Sequence, residues 1–379
     1  MEKPLIKNRI AVSVFFFVNG FLHANLMARL PKLQSELNIS NGILGTLLFA
    51  SALGALIGMP LTGALSHRLG SDKLARVTAI LFCIFLPLIT TTHFVWIAAV
   101  LFFLMGASMG SMDVSMNGQA VYVERFWMKP IMSSFHAVFS IGVACGAVVG
   151  AWCSSHGIIL SVHVILMAIL SLFLILSASL HLIHETDHSE QKEQTGFQWP
   201  HKSIIPLGII AFCCMTGEGS MTDWSAIFMN KVVGQGLTMG AIAFGVFAGG
   251  MTIGRIFGDY ATEQLGKRKL MICDSILAIA GLSIALSFAS VAATLIGFFM
   301  IGLGVATIVP IVFSTAGNIK GVNPSTGIAM ATSIGYTGFF VGPPVIGFLS
   351  DAYGLRLGLV FTLVLFISMF LLVNRYIKK

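Results

Sequence analysis

Twelve long apolar runs restrict the fold of this sequence more than any other feature. Each run has about 20 residues with few charges, the length that an α-helix needs to cross the hydrocarbon core of a bilayer. Because backbone groups inside a bilayer must be hydrogen-bonded within the protein, the runs predict helices and an all-α membrane protein. They lie at 10–30, 42–66, 75–93, 95–123, 131–153, 158–183, 203–229, 238–261, 269–288, 290–317, 325–349 and 356–375.

Composition excludes several other classes of protein. The chain is 56% hydrophobic and only 10% charged, with a mean hydropathy of +0.91, whereas roughly a quarter of the residues in soluble domains are charged. The net charge of +7 comes from basic residues spread over short loops, so we expect no nucleic-acid partner. The six cysteines lie in apolar segments without metal-ligand spacing, and we expect neither a metal nor a cofactor.

One long polar segment divides the chain. Residues 185–201 are too polar to bury a core and predict a cytoplasmic linker. It separates an N-terminal six-helix bundle at 1–184 from a C-terminal six-helix bundle at 202–379. We therefore predict two pseudo-symmetric bundles within one chain, and we expect a monomer.

Lysine and arginine predict the orientation, because cytoplasmic loops carry an excess of both. Of the 22 basic residues, seventeen fall on the side that holds both termini, and Arg255 lies within a run. The other side holds only Arg29, Lys32, Lys231 and Arg356. Both termini are therefore predicted to be cytoplasmic, in a multi-pass protein of the inner membrane.

The two halves repeat a local pattern. Residues 63–73, GALSHRLGSDK, follow the second run, and residues 254–269, GRIFGDYATEQLGKRK, follow the eighth. Each is a glycine-rich helix end followed by a basic turn. Internal repeats with a site between them are the usual construction of secondary transporters.

At these two loops the sequence resembles the major facilitator superfamily. Further stretches are similar to the branch that contains the YbjJ-like inner-membrane proteins, which is related to the fucose permeases. Together they span nearly the whole chain. They are MDVSMNGQAVYVE (112–124), SFHAVFSIGVACGA (134–147), GEGSMTDWSAIF (217–228), ARLPKLQSELNIS (28–40) and GFFVGPPVIGFLSDAYGLR (338–356).

The resemblance implies a gate at the first basic loop, where His67 stands beside Arg68. Family members have an acid in place of His67, and it holds the inner gate shut, so a histidine there would weaken the latch or make it pH-sensitive. The second half keeps Asp259, with Arg255 one turn earlier. An i, i+4 ion pair at a helix end explains those two residues as well as a gate does.

Asp113 is the strongest candidate for function. It lies inside the fourth run with Asn117 one turn later, and an ionisable residue within a membrane span is a functional hypothesis by default. The fucose-permease resemblance places a transport carboxylate on the same helix, which implies proton coupling. The alternative is a hydrogen bond or ion pair that locks the helix.

A second candidate is Glu218 in the seventh run, between Gly217 and Gly219. Glycines on both sides could open the helix and expose backbone groups to a cavity. Asp223 and Trp224 follow nearer the external end, with Trp224 as a stacking surface for a ring such as a sugar.

Three further polar residues complete the predicted pathway for substrate and protons. His136 belongs to the SFH motif of the fifth run, and its titration range suits a proton relay. His23 and Asn25 lie on the first run, where the resemblance implies cavity-lining residues. For each of them, packing and hydrogen bonding inside the bundle are the alternative.

Glycines and prolines predict how the fifth and eleventh runs pack and move. Gly142, Gly146 and Gly150 repeat every four residues, a spacing that favours close helix packing. The Pro343–Pro344 pair removes two backbone donors and should kink or break the eleventh run. We expect both helices to slide or bend during transport.

The sequence therefore predicts a secondary active transporter of a small molecule, such as a sugar or related metabolite, working by alternating access with proton coupling. An exporter of drugs or metabolites fits the same residues. A transporter-derived sensor would usually add a soluble domain larger than the polar segment found here. We expect no enzyme, because the sequence has no HExxH, no GxSxG and no GxxxxGK[ST] motif.

Overall fold

The computed structural model describes residues 3–127, 131–184, 202–319 and 324–377. Within these residues the secondary structure is helical, without β-strands. Ten of the described helices are long and apolar enough to cross a membrane by length and composition. All twelve predicted runs coincide with helices, and two of the runs are each divided into a pair of consecutive helices. The predicted all-α membrane fold is confirmed.

Backbone contacts divide the chain into two compact units. Unit 1 comprises residues 1–39 and 46–191, and unit 2 comprises residues 40–45 and 192–379. The predicted linker at 185–201 lies outside the described residues. The helices that belong wholly or mainly to unit 1 are α1 (Lys3–Met27), α2 (Leu30–Leu37), α3 (Asn41–Leu69), α4 (Ser71–Ile89), α5 (Val95–Trp127), α6 (Met132–Ser155) and α7 (Leu160–Ser179).

The glycine stripe on α6 packs against α1 within unit 1. A Cβ added to Gly142 or Gly146 would lie less than 3.0 Å from the carbonyl oxygen of Phe17 or Phe21 on α1. Glycine is needed at both positions because the two helix backbones are in contact. The predicted close packing is confirmed, and the stripe belongs to a contact inside one unit.

Unit 2 contains a helix break and a helix that continues through two prolines. The tenth run is divided at Ala306–Thr307, whereas α13 continues through Pro343 and Pro344. Of the two predicted effects of these prolines, the break is absent and the kink stays a prediction. The helices of unit 2 are α8 (Ile205–Lys231), α9 (Leu237–Leu265), α10 (Lys267–Phe288), α11 (Val291–Val305), α12 (Ile308–Ala316), α13 (Pro324–Tyr353), α14 (Leu355–Gly358) and α15 (Val360–Tyr376).

Close glycine contacts recur at one spacing in the two units. In unit 1 a Cβ on Gly54 would overlap the Phe103 carbonyl oxygen, and in unit 2 a Cβ on Gly250 would lie 2.5 Å from the Phe299 carbonyl oxygen. The repeat therefore extends from the sequence into the packing of each unit. The equivalent glycines are Gly54 and Gly250, Gly58 and Gly254, Gly70 and Gly266, Gly106 and Gly302, and Gly142 and Gly338.

This spacing corrects one alignment made from sequence. Gly70 and Gly266 both adopt the left-handed backbone at the turn after the helix, with φ of 82° and 76°. With these glycines equivalent, His67 corresponds to Glu263. In the second half, Glu263 is therefore the counterpart of the acid that family members have in place of His67. Asp259 lies one helical turn before that position.

Large apolar side chains face outward. Trp96 is 69% exposed, Phe173 68% and Leu180 76% within the isolated chain. Water would not favour so many exposed apolar side chains, whereas lipid is as apolar as the side chains themselves. The outer surface is therefore suited to a bilayer.

Candidate functional site

Asp113 lies at the centre of α5 and is half-buried. The Asn117 amide nitrogen donates to the Asp113 backbone oxygen at 2.8 Å and to its Oδ1 at 3.3 Å. Among the described residues Asp113 has no ion-pair partner. The carboxylate is therefore held by one amide on its own helix, and no cation neutralises it.

Asn25 connects α1 to α7. Its side-chain nitrogen donates to the Phe21 carbonyl oxygen at 2.7 Å, and its Oδ1 lies 2.7 Å from Nε2 of His163. Asn25 and His163 are both buried. Since both ends of the amide are used inside the bundle, Asn25 holds two helices together and does not line a cavity. His23, two residues earlier, is half-buried.

His136 lies at the second turn of α6 and is exposed. Its ring stands edge-on to Phe16 of α1, with 5.3 Å between centroids and 80° between planes. Phe135 is completely buried and stacks on the same Phe16 ring at 5.5 Å. Of the two, His136 is the one exposed to solvent.

Glu124, at the end of the same polar stretch as Asp113, has a structural role. Its Oε2 accepts hydrogen bonds from the backbone N–H groups of Ile131 and Met132, at 2.7 and 2.8 Å. These are orphan donors at the start of α6, and a carboxylate there also complements the helix dipole. Glu124 caps a helix.

Glu218 in unit 2 pairs with Arg255. The Arg255 Nη2 lies 3.1 Å from Glu218 Oε1, joining α8 to α9. The salt bridges found among the described residues do not include Arg255–Asp259, the pair that was the alternative to a gate, and Asp259 is exposed. Arg255 therefore links two helices.

The glycines beside Glu218 serve packing. Helix α8 is continuous through them, a Cβ at Gly217 would overlap the Phe366 ring, and one at Gly219 would lie 2.9 Å from Phe339 Cδ1. The expected opening of the helix is absent from this described segment. The two glycines make room for aromatic rings of α13 and α15.

The two residues after Glu218 on the predicted pathway differ in environment. Asp223 is half-buried, whereas Trp224 is completely buried within unit 2. The Trp224 Nε1 has no hydrogen-bond partner among the described atoms. Because its ring is enclosed, Trp224 offers no stacking surface in this structure. It fills the core of unit 2.

The predicted gate of unit 1 is described only in part. Arg68 is exposed at the end of α3, and the side chain of His67 lies outside the described residues. Asp72, in the first turn of α4, is buried, and its Oδ2 lies 2.7 Å from Nδ1 of His184.

Sequence reasoning missed Asp274. It lies on α10, is 4% exposed, and accepts a hydrogen bond from the Thr307 hydroxyl at the helix break. The rule that selected Asp113, an acid inside an apolar run, would have found it. Asp274 lies within the ninth predicted run, 269–288.

Two internally repeated units of membrane-crossing helices, with acids inside the spans, define a multi-pass membrane protein. The sequence model described as Major Facilitator Superfamily matches residues 12–321. The chain therefore belongs to this family.

Relatives over nearly the full length support the family. An uncharacterised MFS-type transporter of Yersinia pestis is 32% identical over 351 residues, 92% of this chain and 90% of the relative. Membrane protein MosC of Rhizobium meliloti is 32% identical over 355 residues, 93% of this chain and 86% of the relative. The chain is thus a membrane transporter of a small molecule and not an enzyme.

Solved structures share the fold. A mutant of the nucleoside transporter NupG is 12% identical, with a TM-score of 0.81 over 98% of this chain and 100% of that chain. A bacterial homologue of the human lysosomal transporter Spinster, in an inward-facing and unoccupied conformation, is 13% identical, with a TM-score of 0.74 over 100% and 98%. At these identities the likeness concerns the fold alone.

Proposed function

We propose that this protein is a secondary active transporter that moves a small molecule across the inner membrane by alternating access, with protons as the coupling ion. The observation that carries the proposal is Asp113, a half-buried acid within a span that has one amide as its hydrogen-bond partner and no ion-pair partner among the described residues. A carboxylate in such surroundings is costly when charged, so substrate binding and solvent access can change its protonation.

Unlike Asp113, Glu218 has an ion-pair partner within the described part of the chain. Arg255 at 3.1 Å offsets its charge, and protonation of Glu218 would leave a guanidinium without its partner. Protonation of Asp113 leaves no cation without a partner among the described residues. The proposal therefore assigns the coupling proton of unit 1 to Asp113 and assigns Glu218 to an ion pair in unit 2.

The proposed substrate is a neutral polar molecule such as a sugar or related metabolite. No lysine or arginine lies in the stretches 10–27 of α1, 95–124 of α5 or 205–230 of α8, so these stretches offer no cation to an anionic substrate. Half-buried polar side chains that remain for hydrogen bonding are Asp113, Asn117, His23 and Asp223. The placement in the branch related to the fucose permeases belongs to this proposal.

The proposed orientation has both termini in the cytoplasm, on the seventeen-to-four distribution of basic residues. A cysteine-accessibility assay on intact cells tests it. Single cysteines are placed at Lys7 or at Lys231 in a background with the native cysteines removed. An impermeant reagent should label the cysteine at position 231 and should not label the cysteine at position 7. The opposite pattern would reverse the orientation.

A ligand screen gives the first test of function. Purified protein is heated with sugars, organic acids and drugs at two pH values. A true ligand at about 100 times its Kd stabilises the native state by roughly 2.7 kcal/mol. Stabilisation by organic acids alone would contradict the neutral-substrate proposal.

Transport by Asp113→Asn then tests coupling. We expect the variant to insert and fold but to lose proton-driven movement of the identified ligand in proteoliposomes, measured with the pH gradient in each direction. Asp259→Asn is the matched control, because Asp259 is an exposed acid. Wild-type rates in Asp113→Asn would remove Asp113 from the mechanism.

A further inference from the structure

A second group of ionisable residues meets inside unit 2 at the break between α11 and α12. Asp274 of α10 accepts a hydrogen bond from Thr307 in the break. The Cys214 thiol of α8 lies 3.5 Å from the Val305 carbonyl oxygen, at the end of α11. Glu218, which pairs with Arg255 of α9, follows Cys214 by one helical turn. Four helices therefore bring two acids and one base to one discontinuity.

Close backbone packing holds this discontinuity in place. A Cβ on Gly254 would lie 2.6 Å from Ala306 Cβ, and one on Gly258 would lie 2.9 Å from Thr307 Cγ2. A Cβ on Gly304 would overlap the Asp274 carbonyl oxygen. Since Arg255 directly follows Gly254, the ion pair with Glu218 adjoins the same segment.

The repeat in unit 1 shows that packing alone does not require these charges. A Cβ on Gly338 would contact Phe212 and Thr216, as a Cβ on Gly142 would contact Phe17 and Phe21. Phe212 is therefore equivalent to Phe17, and Glu218, six residues after Phe212, is equivalent to His23, six residues after Phe17. By the shared glycine spacing, the equivalents of Arg255, Asp274 and Thr307 are Met59, Thr78 and Ser111. Unit 1 builds the same helix contacts without an acid or an arginine at these positions.

Counting charges leads to the proposal. With Asp274 ionised these residues carry two negative charges and one positive charge, and Arg255 already pairs with Glu218. Asp274, which is 4% exposed, would then hold a buried charge without an ion-pair partner among the described residues. We propose that Asp274 is a proton-binding site of unit 2, distinct from Asp113, and that the proton neutralises the group formed by Asp274, Glu218 and Arg255. Its use in transport rests on the proposed function, whereas proton binding itself does not.

Other ionisable groups around Asp274 do not supply the missing positive charge. Helices α11 and α12, which pack on α10, contain no ionisable residue. On α8 the groups are Cys213, Cys214, Glu218, Asp223 and, at the far end of the helix, Lys231, which donates to Asn41 Oδ1 at 3.2 Å. On α9 they are Arg255 and the exposed Asp259, Tyr260 and Glu263. On α15, Arg375 lies over the Tyr376 ring.

The basic cluster at the start of α10 is engaged elsewhere. Lys267 donates to Ser314 at 3.1 Å, and Arg268 donates to Asn374 Oδ1 at 2.7 Å. Lys267 lies two helical turns, roughly 10 Å, from Asp274 along α10. Lys269 and Cys273, also on α10, are exposed.

The geometry favours a proton over a metal ion. The Asp274 carboxylate and the Thr307 hydroxyl are in direct hydrogen-bond contact, so no metal ion lies between these two oxygens. A hydroxyl is also a hydrogen-bond acceptor, which lets Thr307 keep its contact when Asp274 becomes protonated.

Infrared difference spectroscopy of the protein in liposomes tests the proposal. Spectra at acid and alkaline pH are compared in an Asp113→Asn background, which removes the signal of the other proposed proton site. We expect a protonated-carboxyl band that is lost in Asp274→Asn and retained in Asp259→Asn, with one proton fewer bound per chain. A band unchanged in Asp274→Asn would overturn the proposal.

Two further variants predict the direction in which the band changes, and they test the proposal even if Asp274→Asn fails to fold. Thr307→Val should shift the frequency of the band, because it removes the hydrogen bond to Asp274. Glu218→Gln leaves Arg255 to balance Asp274, so the band should appear only at more acid pH. A band that is indifferent to both, or that sodium removes at constant pH, would refute proton binding at Asp274. Transport results for Asp113 variants leave these outcomes unaffected.

Discussion

Replacing one glycine between α8 and α13 should destabilise unit 2 by an amount that the structure predicts. In Gly338→Ala the new Cβ would lie 2.7 Å from the Phe212 carbonyl oxygen and 2.9 Å from the Thr216 backbone nitrogen. Ordinary contact begins at 3.4 Å, so the oxygen is too close by about 0.7 Å. The Thr216 Oγ1 is closer still, at 2.5 Å, but the other two neighbours are backbone atoms, so relief requires the helices to separate. Overpacking of this kind costs about 1–3 kcal/mol.

Gly249→Ala in the same unit is the matched control. Gly249 lies within α9, and a Cβ there meets nothing within 4 Å. With no clash, alanine should stabilise the helix by about 0.5–1 kcal/mol. The two variants should therefore shift thermal stability in opposite directions.

Thermal unfolding of the detergent-purified variants measures the difference. At about 2–4 °C per kcal/mol for a unit of this size, Gly338→Ala should lower Tm by at least about 2 °C and Gly249→Ala should raise it. A Tm for Gly338→Ala equal to or above that of wild type would refute the packing argument.

Three further changes test contacts inside unit 1. Glu124→Ala removes the cap of α6 and should cost about 1 kcal/mol, measured by thermal unfolding with Glu124→Gln as an intermediate case. Gln119→Leu removes the amide that pairs with both backbone groups of Ile183, so hydrogen exchange at the Ile183 amide should accelerate up to about tenfold; an unchanged rate would contradict the contact. Asn25→Ala leaves the His163 ring nitrogen without its partner and should cost about 1–3 kcal/mol, with a Tm equal to that of wild type as the contrary result.

The membrane-spanning helices could be predicted from the sequence because each depends on properties of a single segment. Length and hydropathy identified all twelve runs, and the glycine spacing identified the close packing of α6. The partners of polar residues could not be predicted in this way. Glu218 and Arg255 are 37 residues apart and meet only because α8 packs on α9, and no periodicity within either helix indicates that contact.

Local sequence patterns also failed to predict function where one pattern is compatible with two structural roles. Gly217 and Gly219 could open a helix or admit aromatic rings, and only the positions of Phe366 and Phe339 decide for packing. Glu124 and Asp113 lie in the same polar stretch, yet Glu124 caps α6 because the connection after α5 returns the next helix to it. The difference depends on tertiary geometry.

Comparison of the two units separates packing from chemistry within this chain. The glycines that bring helix backbones together recur in both units, since each unit must solve the same packing problem in lipid. The acids do not recur: Val309 stands at the position equivalent to Asp113, and Thr78 at the position equivalent to Asp274. Residues that recur in both units build the scaffold. An intramembrane acid in one unit whose equivalent residue in the other unit is not an acid must be explained by something other than the fold. That argument applies to Glu218, whose equivalent is His23 and whose charge Arg255 offsets, as well as to Asp113 in unit 1 and Asp274 in unit 2, and it does so independently of any relative.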